Sequence, residues 1–330
     1  PEHDKIYTGL LGAKLSRDAS GYYKIDKILK GENWYNNMYS PLTEIGVDIK
    51  EGDYIISINH TPVNTVDNIY QLLVDKANKP IEIGFSTTPD NKNIKTAIIK
   101  PIADEKNLYY YNWVQKNIKT VTEKTNGQVG YIHIPDMVTE GLNEFVKYFY
   151  PQLNKRALII DDRGNGGGNV SPMIIDRLRR EITRANISRN QQIPEYTPQA
   201  AFVGPKVLLI NQYSASDGDL FPYSFKKHKL GKVIGVRSWG GVVGIRGPLS
   251  FVDGGYLYKP EFASYSAEKS KWIIEGYGVD PDIIVDNDPY KEYMGEDAQL
   301  NKAIEVIMED LKKWPENKVP SIPKPPDKSK

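Results

Sequence analysis

Cysteine is absent from the 330 residues. That excludes disulfides, thiolate metal sites and a cysteine nucleophile, and it leaves the cellular compartment open. Histidine is scarce, with four in the chain. No His-Glu-x-x-His pair occurs, so metal catalysis has no support, and neither a metal nor a cofactor is expected. No charge of one sign dominates: 43 Lys and Arg stand against 42 Asp and Glu, a net charge of +1. Without a basic stretch, nucleic acid is not an expected partner. No apolar run approaches the ~20 residues that a membrane-spanning helix needs. A signal-peptide pattern and an initiating Met are missing as well, because the chain starts Pro1-Glu2-His3-Asp4-Lys5. The expectation from that start is a processed or excised chain whose parent extends further N-terminally.

What is present falls into two halves. Residues 6–103 read as a small β-rich domain. Residues 6–13 form an apolar strand entered through Gly9-Leu10-Leu11-Gly12, and residues 22–29 alternate apolar and polar as a half-buried strand does. A turn at Glu51-Gly52-Asp53 precedes a strand over residues 54–59. Ile69, Leu72 and Leu73 recur at helical spacing and predict a helix over residues 66–77. Residues 81–86 and 94–99 are two more strands. The pattern resembles a PDZ domain. That resemblance implies that Gly9, Leu10, Leu11 and Gly12 are a carboxylate-binding loop, whose successive N–H groups hold a peptide's terminal carboxylate while the peptide adds a strand to the sheet edge. The helix would be the other wall of the groove. The alternative is a β-domain that binds no peptide and only orients its neighbour.

Residues 104–127 read as a helical connector. Over residues 128–312 strands alternate with helices: strands at 129–134, 157–161, 206–210 and 232–236, with helices at 141–150, 171–182, 217–229 and 300–311. This alternation predicts an α/β core with a largely parallel sheet. Residues 313–330 are rich in Pro and Lys and read as an extended or disordered tail.

Two strand-to-helix turns carry the candidate chemistry. The first is Asp161-Asp162-Arg163-Gly164-Asn165-Gly166-Gly167-Gly168-Asn169. A glycine run lets backbone N–H groups approach a ligand near a helix start, where partial positive charge collects. A dinucleotide site fits poorly, because the third fingerprint position is Asn169, and no Gly-Lys-Ser/Thr follows for a phosphate loop. The other functional reading is an oxyanion hole. The second turn is Tyr213-Ser214-Ala215-Ser216-Asp217-Gly218-Asp219, after a buried strand. A serine there can expose its oxygen as a nucleophile beside N–H donors. The same residues, Ser216 to Asp219, also have the spacing of a helix capping box. No Gly-x-Ser-x-Gly is present, so an α/β-hydrolase is not supported.

Together the two turns resemble the S41 serine peptidases, the carboxyl-terminal processing proteases and their tricorn relatives. The hallmarks are Arg163-Gly164-Asn165-Gly166-Gly167-Gly168 and Ser214-Ala215-Ser216. The resemblance implies an α/β core of the crotonase and ClpP-like kind behind the PDZ-like domain, and a peptidase with Ser216 as nucleophile. The oxyanion hole would come from the N–H groups of Asp217 and Gly167. Gly166, Gly168, Gly240 and Gly241 would line the peptide cleft. The processing proteases carry a lysine base in a segment that corresponds to Ser238-Trp239-Gly240-Gly241-Val242. The lysine position falls on Gly241, which has no side chain to accept a proton. The tricorn branch fits better, through residues 131–137, Ser238 to Gly241, and residues 275–283. It implies Glu275 as the acidic member of a serine–histidine charge network.

The histidine of that branch lies ahead of the PDZ domain. His3 lacks the serine expected before it, and His60, His133 and His228 read as structural or solvated. The expectation is a piece without its general base, which leaves an inactive fragment or a peptide-binding scaffold as the alternative function. The branch selects a basic residue before the cut through an acidic side chain. Here the matching residues 179–186 are mostly basic, with Glu181 the acid, so that preference is not expected to carry over. Expected partners are a peptide or unfolded polypeptide and other copies of the chain, since the family tends to assemble, often as a hexamer. The family suggests a cytoplasmic setting, with a periplasmic one as the alternative.

Overall fold

The computed structural model describes residues 6–90, 92–314 and 321–324. His3 and most of the expected tail at 313–330 lie outside the described residues. The chain divides into two compact units, Pro1–Lys116 and Asn117–Lys330.

The first unit is an antiparallel sheet. Its strands are β1 (Ala13–Arg17), β2 (Tyr23–Ile28), β3 (Tyr54–Ile58), β4 (Thr61–Pro62), β5 (Ile81–Ser86) and β6 (Lys95–Ile99), in the order β1-β2-β3-β5-β6 with β4 on β3. β-Branched isoleucines suit a pleated, half-buried surface, and Ile25, Ile55, Ile58 and Ile83 form the core with Ile69 and Leu73. Two expectations change. Residues 66–77 are not an α-helix: the helical part is a 3-10 turn at Ile69–Leu73, which Asn68 caps by accepting the Tyr70 N–H. Asp75 then takes a positive φ of 55° and ends it. Residues 6–13 are not one strand either, but isolated bridges at Thr8 and Leu10 that lead into β1.

A continuous helix, α1 (Lys106–Lys124), crosses the division between the units. The second unit then alternates as β7 (Val129–His133), α2 (Thr139–Phe149), β8 (Ala157–Asp161), α3 (Ser171–Leu178), β9 (Arg184–Asn186), β10 (Glu195–Thr197), β11 (Lys206–Ile210), α4 (Asp217–Lys227) and β12 (Gly231–Gly235). After these come β13 (Gly244–Ser250), β14 (Tyr256–Phe262), β15 (Ile283–Ile284), α5 (Pro289–Tyr293) and α6 (Ala298–Lys313). Five strands make a parallel sheet in the order β15-β12-β11-β8-β7. Strands β7, β8 and β11 are buried along their whole length, as expected for a sheet covered on both faces. Phe145 and Phe149 of α2, Ile174 and Leu178 of α3, and Phe221 and Phe225 of α4 pack with Ile160, Leu208 and Val233 in one core. Each such side chain contributes about 1.5–3 kcal/mol on burial. The α3 helix stops at Leu178, short of the expected residue 182, and β9 and β10 follow as a separate hairpin. No described helix is long and apolar enough to cross a membrane.

Strands β8 and β11 are hydrogen-bonded parallel neighbours, with Asp161 opposite Leu209. Their C-terminal ends therefore open at the same sheet edge, where crevices in parallel sheets form.

Candidate active site

The serine turn starts where β11 ends. Asn211 organises it, accepting the Tyr213 N–H at 3.1 Å and the Gly164 N–H of the neighbouring turn at 3.0 Å. The two serines then part company. Ser214 is fully buried, and its hydroxyl donates to the Asp162 carbonyl at 2.8 Å. Ser216 is exposed and is the residue before α4. Its backbone sits at φ 58°, ψ −116°, a conformation that costs a side-chain-bearing residue about 1–3 kcal/mol. It is held there from both sides: Asp219 Oδ2 accepts the Ser216 N–H at 2.8 Å, and the Asn165 carbonyl accepts the Ala215 N–H at 2.9 Å. The capping-box spacing is thus in use, through the Asp219 carboxylate. A sharp, strained strand-to-helix turn is what a nucleophile elbow supplies, and here it forms without Gly-x-Ser-x-Gly.

The glycine run lies directly against this serine. A methyl group added at Gly167, which has φ 87°, would fall 2.6 Å from Ser216 Cβ and 3.1 Å from the Asp217 nitrogen. Asn165 sets the run: fully buried, it accepts the Gly167 N–H on Oδ1 at 2.9 Å and donates from Nδ2 to the Ile134 carbonyl at 3.0 Å. The expected oxyanion donor Gly167 therefore has its N–H already taken, and Gly166 donates to the Pro135 carbonyl at 3.2 Å. Gly168 differs. Its bridge to Met137 uses the Gly167 carbonyl and the Asn169 N–H. That pattern turns the Gly168 N–H away, with no partner among the described residues. Asp217 is the first residue of α4, so its N–H has no carbonyl four residues back within the helix.

Two carboxylates pin the segment from Ser238 to Val243. Buried Asp219 accepts the Ser238 hydroxyl at 2.5 Å and the Gly240 N–H at 2.8 Å on Oδ1. Burial pushes its carboxyl up, against hydrogen bonds from Ser238, Gly240, Ser216 and Gly241 that pull it down. The amides of Gly240 and Gly241, expected to line the peptide cleft, are thus turned to Asp219. Glu275 is exposed, and its Oε2 accepts the N–H groups of Val242 and Val243 at 2.6 and 2.8 Å. Ser216 and Glu275 are thereby attached to opposite ends of one short segment.

Beneath the glycine run, Arg163 is buried and binds Asp161 at 2.6 Å and Asp297 at 2.9 Å. The Tyr131 hydroxyl donates to Asp161 at 2.7 Å. Burial raises the Asp161 carboxyl, but the Arg163 charge and these hydrogen bonds outweigh it and hold the group below its ordinary value. Its neighbour Asp162 is fully buried with neither carboxyl oxygen hydrogen-bonded. Burial and the nearby Asp161 and Asp219 push it well up, towards the neutral acid.

The other expected residues lie elsewhere. His133 Nε2 is 2.9 Å from the Arg163 carbonyl, and burial lowers its pKa. His60 meets Glu82 at 3.1 Å, and His228 closes α4. No described histidine is hydrogen-bonded to Ser216. Among the described residues no group of His, Asp and Glu could hold a metal ion. In residues 179–186, Arg179 pairs with Asp176 at 3.2 Å and Glu181 is exposed. In the Gly9–Gly12 loop of the first unit, the amides of Gly9, Leu10 and Gly12 already have partners. Gly9 donates to Leu73, Leu10 exchanges bonds with Ile102, and Gly12 donates to the Glu105 carboxylate at 2.8 Å. Sequence reasoning gave Asn165, Asp219 and Glu105 no organising role; Asn165 had a signal in the Arg163–Gly168 hallmark and Asp219 in its capping-box spacing, while Glu105 had none.

Comparison with known proteins places both parts of the chain in one family. The peptidase family S41 model matches residues 128–285, and that of the tricorn protease PDZ domain matches residues 9–104. The tricorn protease of Thermoplasma volcanium is 38% identical over 296 residues, which are 90% of this chain and 28% of that protein. The tricorn protease homolog of Saccharolobus solfataricus is 40% identical over 311 residues, 93% of this chain and 28% of its own length. A crystal structure of the tricorn protease superposes with a TM-score of 0.83 at 35% identity, covering 93% of this chain and 29% of that one. The chain spans 28% of the length of each of these two curated relatives.

Proposed function

The chain belongs to peptidase family S41, in its tricorn branch, and from that premise we propose that it hydrolyses peptide bonds with Ser216 as the nucleophile. The observation that carries the proposal is the serine turn itself: an exposed serine, in a strained conformation at a helix N-terminus, with Gly167 packed on its Cβ. Of the two serines only Ser216 presents its hydroxyl to solvent. An attacking serine develops negative charge on the substrate carbonyl oxygen, which needs fixed N–H donors. The proposed donors are Asp217 and, in place of Gly167, its neighbour Gly168, whose N–H is the unpaired one in the run. Glu275 keeps its second oxygen, Oε1, clear of the two amide bonds; its proposed role is to orient the general base and stabilise it when protonated. The proposed substrates are peptides or unfolded polypeptides.

The test is hydrolysis of a fluorogenic peptide set, together with labelling by a fluorophosphonate probe. Both are expected in a longer chain that supplies the general base, and there both should fall by about 10³-fold or more in Ser216→Ala; the 330 residues without that base are expected to be slow or inactive. A protein that binds the peptides but is neither labelled nor active would be a scaffold instead.

A further inference from the structure

Helix α3 begins without a cap of its own. The residue before it is Val170, which has no side-chain acceptor, and no side-chain cap bond is made there. The cap comes from the other turn. Asp217, 46 residues on, accepts the Ser171 N–H on Oδ2 at 2.9 Å and the Ser171 hydroxyl on Oδ1. Both partners are buried. Two residues separate Gly168 from Ser171, so this clasp closes the glycine run on its C-terminal side. On the N-terminal side the Asn165 carbonyl accepts the Ala215 N–H. The run is therefore tied at both ends to the serine turn, and the two ties land on residues 215 and 217, either side of Ser216.

We propose that the Asp217 side chain is a positioning residue for peptide hydrolysis. Acting through Ser171, it fixes the spacing between the N–H of Asp217 and that of Gly168, and so the size of the oxyanion pocket. This role rests on the peptidase reading above. It is separate from the backbone N–H of the same residue, which every substitution except proline retains. Donors that must meet a developing charge lose their value when displaced by fractions of an ångström, because preorganisation is the source of their effect. The carboxylate need not touch the substrate or exchange a proton.

The experiment measures kcat and KM on one fluorogenic peptide, well below the melting temperature, in the longer chain that supplies the general base, for Asp217→Ala, Asp217→Asn, Ser171→Ala and Ser216→Ala. Asparagine can still accept the Ser171 N–H and can donate to its hydroxyl oxygen. The expected result is a kcat lower by about 10²-fold in Asp217→Ala at unchanged KM, largely restored in Asp217→Asn. Ser171→Ala should fall between them, and the Asp217→Ala/Ser171→Ala pair should be no worse than Asp217→Ala alone. Wild-type kcat in Asp217→Ala and Ser171→Ala, with only the melting temperature lowered, overturns the role. So does an Asp217→Asn variant as slow as Asp217→Ala with a displaced pH profile, which would mean direct chemistry. If Asp217→Ala does not fold, Ser171→Ala and Asp217→Asn carry the test. Activity that survives in Ser216→Ala, or no Ser216-dependent turnover at all, overturns the peptidase reading and this role with it. Activity lost in Ser216→Ala but kept in Asp217→Ala overturns this role alone.

Discussion

The loop at Gly9–Gly12 and the run at Gly164–Gly168 are both glycine-bearing turns expected to offer N–H groups to a ligand, and they end in opposite states. In the first, Gly9 and Gly12 are buried, and their amides are met by the Leu73 carbonyl and the Glu105 carboxylate. In the second, Gly168 is exposed and its N–H has no partner among the described residues, while carboxylates work around the turn: Asp219 on Ser216, Asp217 on Ser171. Burial decides between these outcomes. A buried N–H without a partner costs roughly 1–3 kcal/mol, so a loop that closes over its amides must fill them from its own chain. An exposed amide can be covered by water until a ligand arrives. The same bond, carboxylate on amide, fills a site in one unit and frames a site in the other.

The comparison breaks hardest at Gly168. A methyl group there would lie 2.0 Å from the Met137 carbonyl oxygen, at a φ of 151°. Gly168→Ala must shift the run, and peptide turnover should fall on the order of 10²–10³-fold, with circular dichroism showing the fold retained. Gly164→Ala is the matched control. It also has a positive φ, of 72°, but open space around the added methyl group, so it should lose about 1 kcal/mol of stability and keep its turnover.

Lys206 sharpens the comparison from the other side, as a buried charge that meets no opposite charge among the described residues. Among these its ammonium reaches the Gly204 carbonyl, at 3.2 Å, and the Phe202 ring, at 5.4 Å. Burial lowers its pKa from 10.5 to about 8. Below about pH 8 the group is charged in both states and the folded chain bears the full burial cost; above about 10.5 it is neutral in both. Between those values the folded state releases its proton first, so this group should raise the unfolding free energy by about 3 kcal/mol as pH rises. Urea unfolding of wild type and Lys206→Met at both ends of the range should show that rise in the wild type only.

The smallest effect belongs to Glu105. Burial raises its carboxyl, although the amides of Gly12 and Ala13 pull the other way. An acid raised in the folded state is protonated in both states at low pH, and its contribution is lost as pH rises through the folded value. Glu105→Gln keeps an acceptor for Gly12 but cannot ionise. Its melting temperature should therefore fall less than that of the wild type as pH rises from about 4 to 6, since an unperturbed glutamate titrates near 4.3.

Much of the second unit was legible because its strands are short apolar runs. Residues 157–161 and 206–210 match β8 and β11, and the turns that follow them carry glycines and serines at fixed spacing. The first unit read less well where the pattern was ambiguous: Ile69, Leu72 and Leu73 satisfy a 3-10 turn as well as an α-helix, and only the Asn68 cap and the positive φ of Asp75 decide. The amide partners could not be read at all. Whether Gly12 is filled depends on a glutamate 93 residues away, and whether α3 is capped depends on an aspartate 46 residues away. Local spacing holds no trace of either. The resemblance implied a glycine of the 166–168 run, taken as Gly167; among the described residues the amide without a partner is that of Gly168.

The backbone of Ser216 has a last consequence. A left-handed φ suits glycine better than any side-chain-bearing residue, so a glycine at 216 would relax the turn by about 1–3 kcal/mol. That chain would be more robust than the natural one and, given the proposed role of Ser216, without its nucleophile. Fitness for folding and fitness for reaction therefore rank the residues at this position in opposite order. A library sorted on heat resistance alone would favour variants that have discarded the hydroxyl.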